Sequence, residues 1–205
     1  SFVGMTGAVL LGTAFAFLIT LTDLRLKLVL VFCFMLPMMI PPQITALSWI
    51  QVFGPSSALL NTLGIAPPLG APNPVYSRKG IMLLLAVQHA PLAFLVLRAA
   101  FRQLPRELIE AARLAGARPP RIFLTVVLPL LSPALLASTA LTFVSALGNF
   151  GIPAMLGIPI SYYVLPTLIY RRLASFGPSL ISDVAILAVV VGVIGVAVIL
   201  AQSLI

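Results

Sequence analysis

Few residues in this chain could do chemistry, and their spacing narrows what that chemistry is. The only histidine, His89, follows Gln88 in the middle of an apolar run, with Pro91 two residues on. A single imidazole with no second histidine or cysteine nearby in sequence does not make a metal site. Both glutamates, Glu107 and Glu110, fall in the stretch ELIEAARLAGARPP, residues 107–120, which also holds Arg113 and Arg118. Glu110 has Arg106 four positions before it and Arg113 three after, which is ion-pair spacing on a helix. No serine, histidine and aspartate set converges, so catalysis by this chain is not expected. Neither Lys27 nor Lys79 follows the glycine-rich pattern of a phosphate loop, so the motif for gripping ATP is absent too. Cys33 is the only cysteine, which excludes an intrachain disulfide. Two kinds of device remain: a charged helix that touches something, and a few polar groups placed in oil.

The elements that must position these groups are membrane helices. The 205 residues are 61% hydrophobic and only 8% charged, with a mean hydropathy of +1.18, whereas soluble domains carry roughly a quarter charged residues. The net charge of +8 comes from basic residues in the gaps between apolar runs, without the interleaved aromatics of a strand-binding groove, so nucleic acid is not a partner. About 20 apolar residues cross the hydrocarbon layer as a helix, and five stretches qualify: 2–22, 28–50, 81–100, 122–147 and 181–204. Pro37, Pro41 and Pro42 must kink or break the second near its far end. The expected class is an all-α, polytopic transmembrane helical bundle forming one domain. Apolar runs lie against both ends of the chain, which suggests part of a longer polypeptide. Arg25, Lys27 and the arginines at 98, 102, 106, 113, 118 and 121 fall on one side, against Arg78, Lys79, Arg171 and Arg172 on the other. The positive-inside rule puts the richer side, with the loop 101–121, in the cytoplasm.

That loop encodes a short helix. Pro105 suits the first turn, Glu107 puts negative charge at the positive end of the helix dipole, Gly116 can adopt the left-handed closing conformation, and Pro119-Pro120 forbids continuation. Leu108, Ala111, Ala112 and Ala115 fall at i, i+3, i+4 and i+7 on one face, with Arg106, Glu110 and Arg113 on the other. About ten residues do not hold a helix in water. The helix either lies on the bilayer with its arginines toward lipid phosphates or docks on a protein. Three of the four apolar residues are alanine, which offers little area to lipid but lets another backbone approach closely.

Glu110-Ala111-Ala112, three further residues, Gly116, nine further residues and then VVLP ending at Pro129 resemble the EAA loop of membrane permease subunits of binding-protein-dependent, type I ABC importers. The family usually has isoleucine where this chain has Val126. The segments ALSWIQVFGPSSALLN (46–61) and GNFGIPAMLGIPISYYVLPTLIY (148–170) are similar to the iron(III)-type branch of these permeases. The resemblance implies a pore half in a bacterial inner membrane, working with a second permease half, two ATPase subunits and an extracytoplasmic solute-binding protein. ATP and magnesium would be bound by the ATPase partner, and this chain would carry no cofactor. Leu108, Glu110, Ala111, Ala112, Arg113 and Gly116 would couple the chain to that partner. Iron(III) leads as substrate, with thiamine, polyamines and phosphonates carried by related permeases.

Polar groups at membrane depth are costly and tend to face the bundle interior or a wet cavity. Gln88 and His89 are therefore candidates for the solute path or for helix-to-helix hydrogen bonds, and Asn149 for the path or a helix cap. Gly148, Gly151, Pro153, Gly157 and Pro159 make helix discontinuous after the fourth span, a candidate outer gate. Tyr162, Tyr163, Arg171 and Arg172 follow, fit for a docking protein or for lipid anchoring. Asp183 is expected to cap the last span, and Arg98 to snorkel to the boundary. The rival function is an ion-gradient-driven secondary transporter or channel, which needs ionisable groups inside the spans, where this chain has almost none.

Overall fold

The computed structural model describes residues 2–22, 25–68, 70–174 and 180–203, apart from the side chains at 2, 21, 106, 180 and 203. Among these every regular element is helical. Four helices are long and apolar enough to cross a membrane: α1 (Phe2–Leu21), α5 (Arg78–Arg102), the continuous run Pro119–Leu147, and α11 (Leu180–Ser203). Two further segments qualify only as bent pairs.

The first bent pair lies where a single span over 28–50 was expected. It is broken into α2 (Lys27–Met39) and α3 (Pro42–Phe53), which with the short α4 (Ala58–Thr62) turns by 105°. The cause is covalent. Pro41 and Pro42 have no N–H to donate, and the residue before a proline is pushed to extended backbone; Ile40 has φ −94° and ψ 135°. Pro37 is accommodated inside α2.

The second bent pair follows residue 147: helix is interrupted there, as the glycine- and proline-rich stretch leads one to expect, but between the breaks the stretch is itself helical. α9 (Gly151–Gly157) and a 3-10 turn (Ile158–Ile160) are separated by a 72° bend from α10 (Leu165–Leu173). Pro153 is the third residue of α9, and in a first turn the missing N–H has no intrahelical acceptor to lose.

A feature not picked out in the sequence sets the central contact. Gly4, Ala8, Gly12 and Ala16 recur every fourth residue on α1 and are all buried, facing α5. A Cβ at Gly12 would stand 2.7 Å from the Ala90 carbonyl oxygen and 2.8 Å from Phe94 N, so only glycine lets the backbones meet. Small residues at this spacing are how membrane helices gain close packing, since lipid is as apolar as leucine.

Two apolar clusters sit at the two ends of this contact. Toward the loop, Phe15 stacks on Phe34 at 3.9 Å between centroids, Phe94 meets both edge-on, and Phe17 meets Phe101 and Phe123 edge-on. At the other end Ala46, Ile81, Leu84, Ile152 and Leu156 are buried, with Trp49 and Phe53 packed on them. α11 touches α8 (Leu128–Leu147) and α10 but buries none of its apolar window.

Candidate functional site

The loop helix is α6 (Arg106–Leu114), and its end is built as the sequence specifies. Gly116 has φ +79°. Its N–H donates to the Arg113 carbonyl at 2.9 Å, and Ala117 N–H donates to the Ala112 carbonyl at 3.0 Å. This reciprocal pair is the Schellman closure, which satisfies carbonyls a helix end leaves open. Pro105 is the N-cap residue rather than part of the first turn. Glu107 and Arg113 lie in the first and last turns, each at the favourable end of the helix dipole.

Beyond Gly116, Pro119 and Pro120 are the first two residues of α7 (Pro119–Ile122), which enters α8 through one π-helical turn, Phe123–Val127. There Leu128 N–H reaches back five residues to the Phe123 carbonyl. A wider turn makes room for the Pro129 ring, which in an α-helix would collide with the carbonyl four residues before it. The VVLP segment is thus the joint where the loop becomes span, and α6 is separated by one tight turn from a continuous helix of 29 residues.

The faces of α6 differ from the expected set. Ile109 and Ala112 turn toward the body of the chain and are half-buried, while Leu108, Ala111, Leu114 and Ala115 are exposed, Leu114 by 90%. Glu110 and Arg113 form no ion pair among the described residues, and the side chain of Arg106, the other member of the expected ion-pair set, lies outside them. The Gly116 closure sets how the helix leaves toward α7, and between α6 and the body lies a cavity of about 520 Å³ walled by Ile109, Arg113, Phe17, Phe101, Arg102 and Phe123.

The polar residues in the bundle are internal ties. Gln88 Nε2 donates to the Pro37 carbonyl at 2.6 Å and to the Ile40 carbonyl at 3.2 Å. These two acceptors are open because of the break in the second segment: Pro41 has no N–H to give Pro37, and Ile44 N–H donates instead to Pro41. Gln88 supplies the donor that the prolines removed. Its Oε1 is buried without a protein partner among the described residues. His89 Nδ1–H donates to the Leu85 carbonyl at 2.8 Å, and the ring also meets the Ser145 backbone on α8. Both side chains are buried, at 6% exposed. Asn149 Oδ1 accepts from Ile152 N–H at 3.2 Å and caps α9. Of the expected gate residues, Gly148 is exposed at the end of α8. Gly151 and Pro153 are buried in α9, and a Cβ on Gly151 would stand 2.9 Å from Pro42 Cβ on α3. The two bent pairs are therefore wedged together. At their far rim Arg78 lies over the Tyr162 ring at 5.0 Å and Arg171 over Tyr163 at 4.6 Å, while Asp183 pairs with Arg172 at 3.8 Å.

A helical bundle with this loop has a match among known proteins: the family model described as binding-protein-dependent transport system inner membrane component covers residues 8–205. The chain belongs to that family. It is the family to which the loop spacing points, and this member is a multi-pass membrane protein with the family's all-α architecture. Among its relatives, a probable sulfate transport system permease protein of Nephroselmis olivacea is 29% identical over 74% of the chain and 54% of that protein. A putative ferric transport system permease protein of Haemophilus influenzae is 29% identical over 84% and 27%, and a xylose/arabinose import permease protein of Haloferax volcanii is 31% identical over 70% and 48%. The chain thus spans about a quarter to about half the length of these relatives. Family members of similar identity are named for a sulfate, an iron and a sugar system.

Proposed function

We propose that this chain is the permease, the pore-forming half, of an ATP-driven importer in a bacterial cytoplasmic membrane, and that α6 couples it to a separate ATP-hydrolysing subunit. One observation carries the reading: α6 turns Leu108, Ala111, Leu114 and Ala115 away from its own chain while its root is fixed to a 29-residue span. A face of small and apolar side chains on a helix too short to stand alone is a mate for a cleft. Moving a pore from 1:99 to 99:1 takes a differential of about 5.5 kcal/mol, and a lever can transmit that only if it does not bend. The Gly116 closure and the continuous helix beyond it supply the stiffness.

ATP and magnesium belong to the partner subunits, two per complex. A second permease half completes the pore, and an extracytoplasmic binding protein delivers the solute. The proposed substrate is iron(III), supported by the two ferric-system relatives at 29% identity; the sulfate and sugar systems make the alternatives to test. Glu110, Ala111, Ala112, Arg113, Gly116 and Leu108 form the coupling element, with Ile109 anchoring it from beneath.

The test uses Ala111→Trp. Ala111 is exposed, so the larger ring is tolerated within the chain, and membrane insertion should be unchanged. Retention of the ATPase subunit on the purified permease should weaken by about thirtyfold, the effect of losing a contact worth roughly 2 kcal/mol, and ATP-dependent uptake should stop. Uptake that persists in vesicles lacking ATP and follows a proton gradient would overturn the proposal in favour of a secondary transporter.

A further inference from the structure

On the side of the membrane that carries the loop, α1, α2 and α5 enclose a second cleft, with a volume of about 370 Å³. Its lining combines the basic Arg98, Arg102 and Lys27 and the hydroxyl of Thr20 with the apolar Ile19, Leu28 and Val31. No carboxylate is among its described lining residues. Arg98 and Arg102 stand four residues apart on one face of α5, where like charges repel, and among the described residues neither belongs to an ion pair. α5 has 25 residues, about 37 Å of helix, against a hydrocarbon layer of about 30 Å. Its last turn therefore lies at headgroup level, with Arg98 one turn deeper, half-buried and over the Phe94 ring at 5.7 Å.

Basic side chains beside apolar ones in one cleft fit an amphiphile with an anionic head. Basic pockets between membrane helices at this level take acidic lipid headgroups. A free phosphate would use the basic residues alone, whereas an acyl chain would also cover the apolar ones, of which Leu28 is 83% exposed. We propose that this cleft is a binding site for an anionic phospholipid, its phosphate held by Arg98 and Arg102 and one acyl chain lying along Ile19, Leu28 and Val31. The site stands whatever α6 docks on. Arg102 also walls the cavity beneath α6, together with Arg113, so the bound headgroup sits against the root of the loop.

The test is native mass spectrometry of the protein extracted in detergent and titrated with phosphatidylglycerol or phosphatidylcholine. One phosphatidylglycerol should be retained with a preference of roughly thirtyfold over phosphatidylcholine, about fivefold for each arginine. Arg98→Gln/Arg102→Gln should abolish the preference, Arg98→Lys/Arg102→Lys should keep most of it, and Arg78→Gln, at the opposite end of α5, should leave it intact. Equal retention of the two lipids by the unaltered protein overturns the proposal, and needs no variant to fold. Full preference in the double glutamine variant also overturns it, as does displacement of the lipid by millimolar inorganic phosphate, which would mark a free-anion site instead.

Discussion

Gln88 illustrates how a polar residue becomes structural when a proline pair removes donors elsewhere. Its amide fills two carbonyls 51 and 48 residues away in sequence, so its role follows from Pro41 as much as from its own position. Gln88→Leu takes the donor from both part-buried hydrogen bonds, each worth about 0.5–1.5 kcal/mol. Destabilisation by about 2 kcal/mol is expected in a denaturation series in mild detergent, with the proposed uptake lost only in proportion to folded protein. A selective loss of transport at unchanged stability would instead make Gln88 part of the solute path. His89 and Asn149 obey the same logic, each with a backbone partner within its own neighbourhood; for Asn149 that partner is the one expected of a helix cap.

At the level of elements, two devices define the chain. One is α6 with its closing glycine, joined through the π turn to α8; it was legible because capping chemistry acts between residues a few positions apart. The other is the α1–α5 contact, which rests on a four-residue period of small side chains whose partner is about 80 positions away. Gly12→Val puts branched carbon where a Cβ alone is 2.7 Å from a backbone oxygen, and overpacking of this kind costs about 1–3 kcal/mol or more. Lower thermal stability of the purified chain is expected, together with spreading of introduced labels on α1 and α5. Gly192→Val is the control, since a Cβ there meets nothing within 4 Å; it should leave the isolated chain's stability unchanged.

For the whole molecule, the uneven distribution of lysine and arginine implies that the loop and the rim of bent pairs face opposite compartments. With Cys33 replaced by alanine, a cysteine at Ala115 should react with a membrane-impermeant thiol reagent only from the cytoplasmic side, and one at Ser56 only from the outside. Labelling of both from one side would put the loop and the rim in one compartment, and exchanged labelling would reverse the assignment of the two faces. Both positions are exposed, so the reactivity reports sidedness and not burial.

Composition alone determined that the chain is a helical membrane protein, because hydrocarbon tolerates no unpaired backbone and leaves helices as the solution for runs this long and apolar. Local spacing determined the loop helix, its closure at Gly116 and the family it signals. The tertiary structure decided what depended on distant partners: that the proline break in the second apolar stretch turns by 105°, that α9 is helix wedged on α3, and that Ile109 and Ala112 point inward while Leu108, Ala111 and Ala115 stay exposed. It also placed Gln88 as a brace against Pro37 and Ile40. Hydropathy reports how much oil surrounds a residue, but the partner of an open carbonyl and the side on which a helix is covered are settled only when the segments meet.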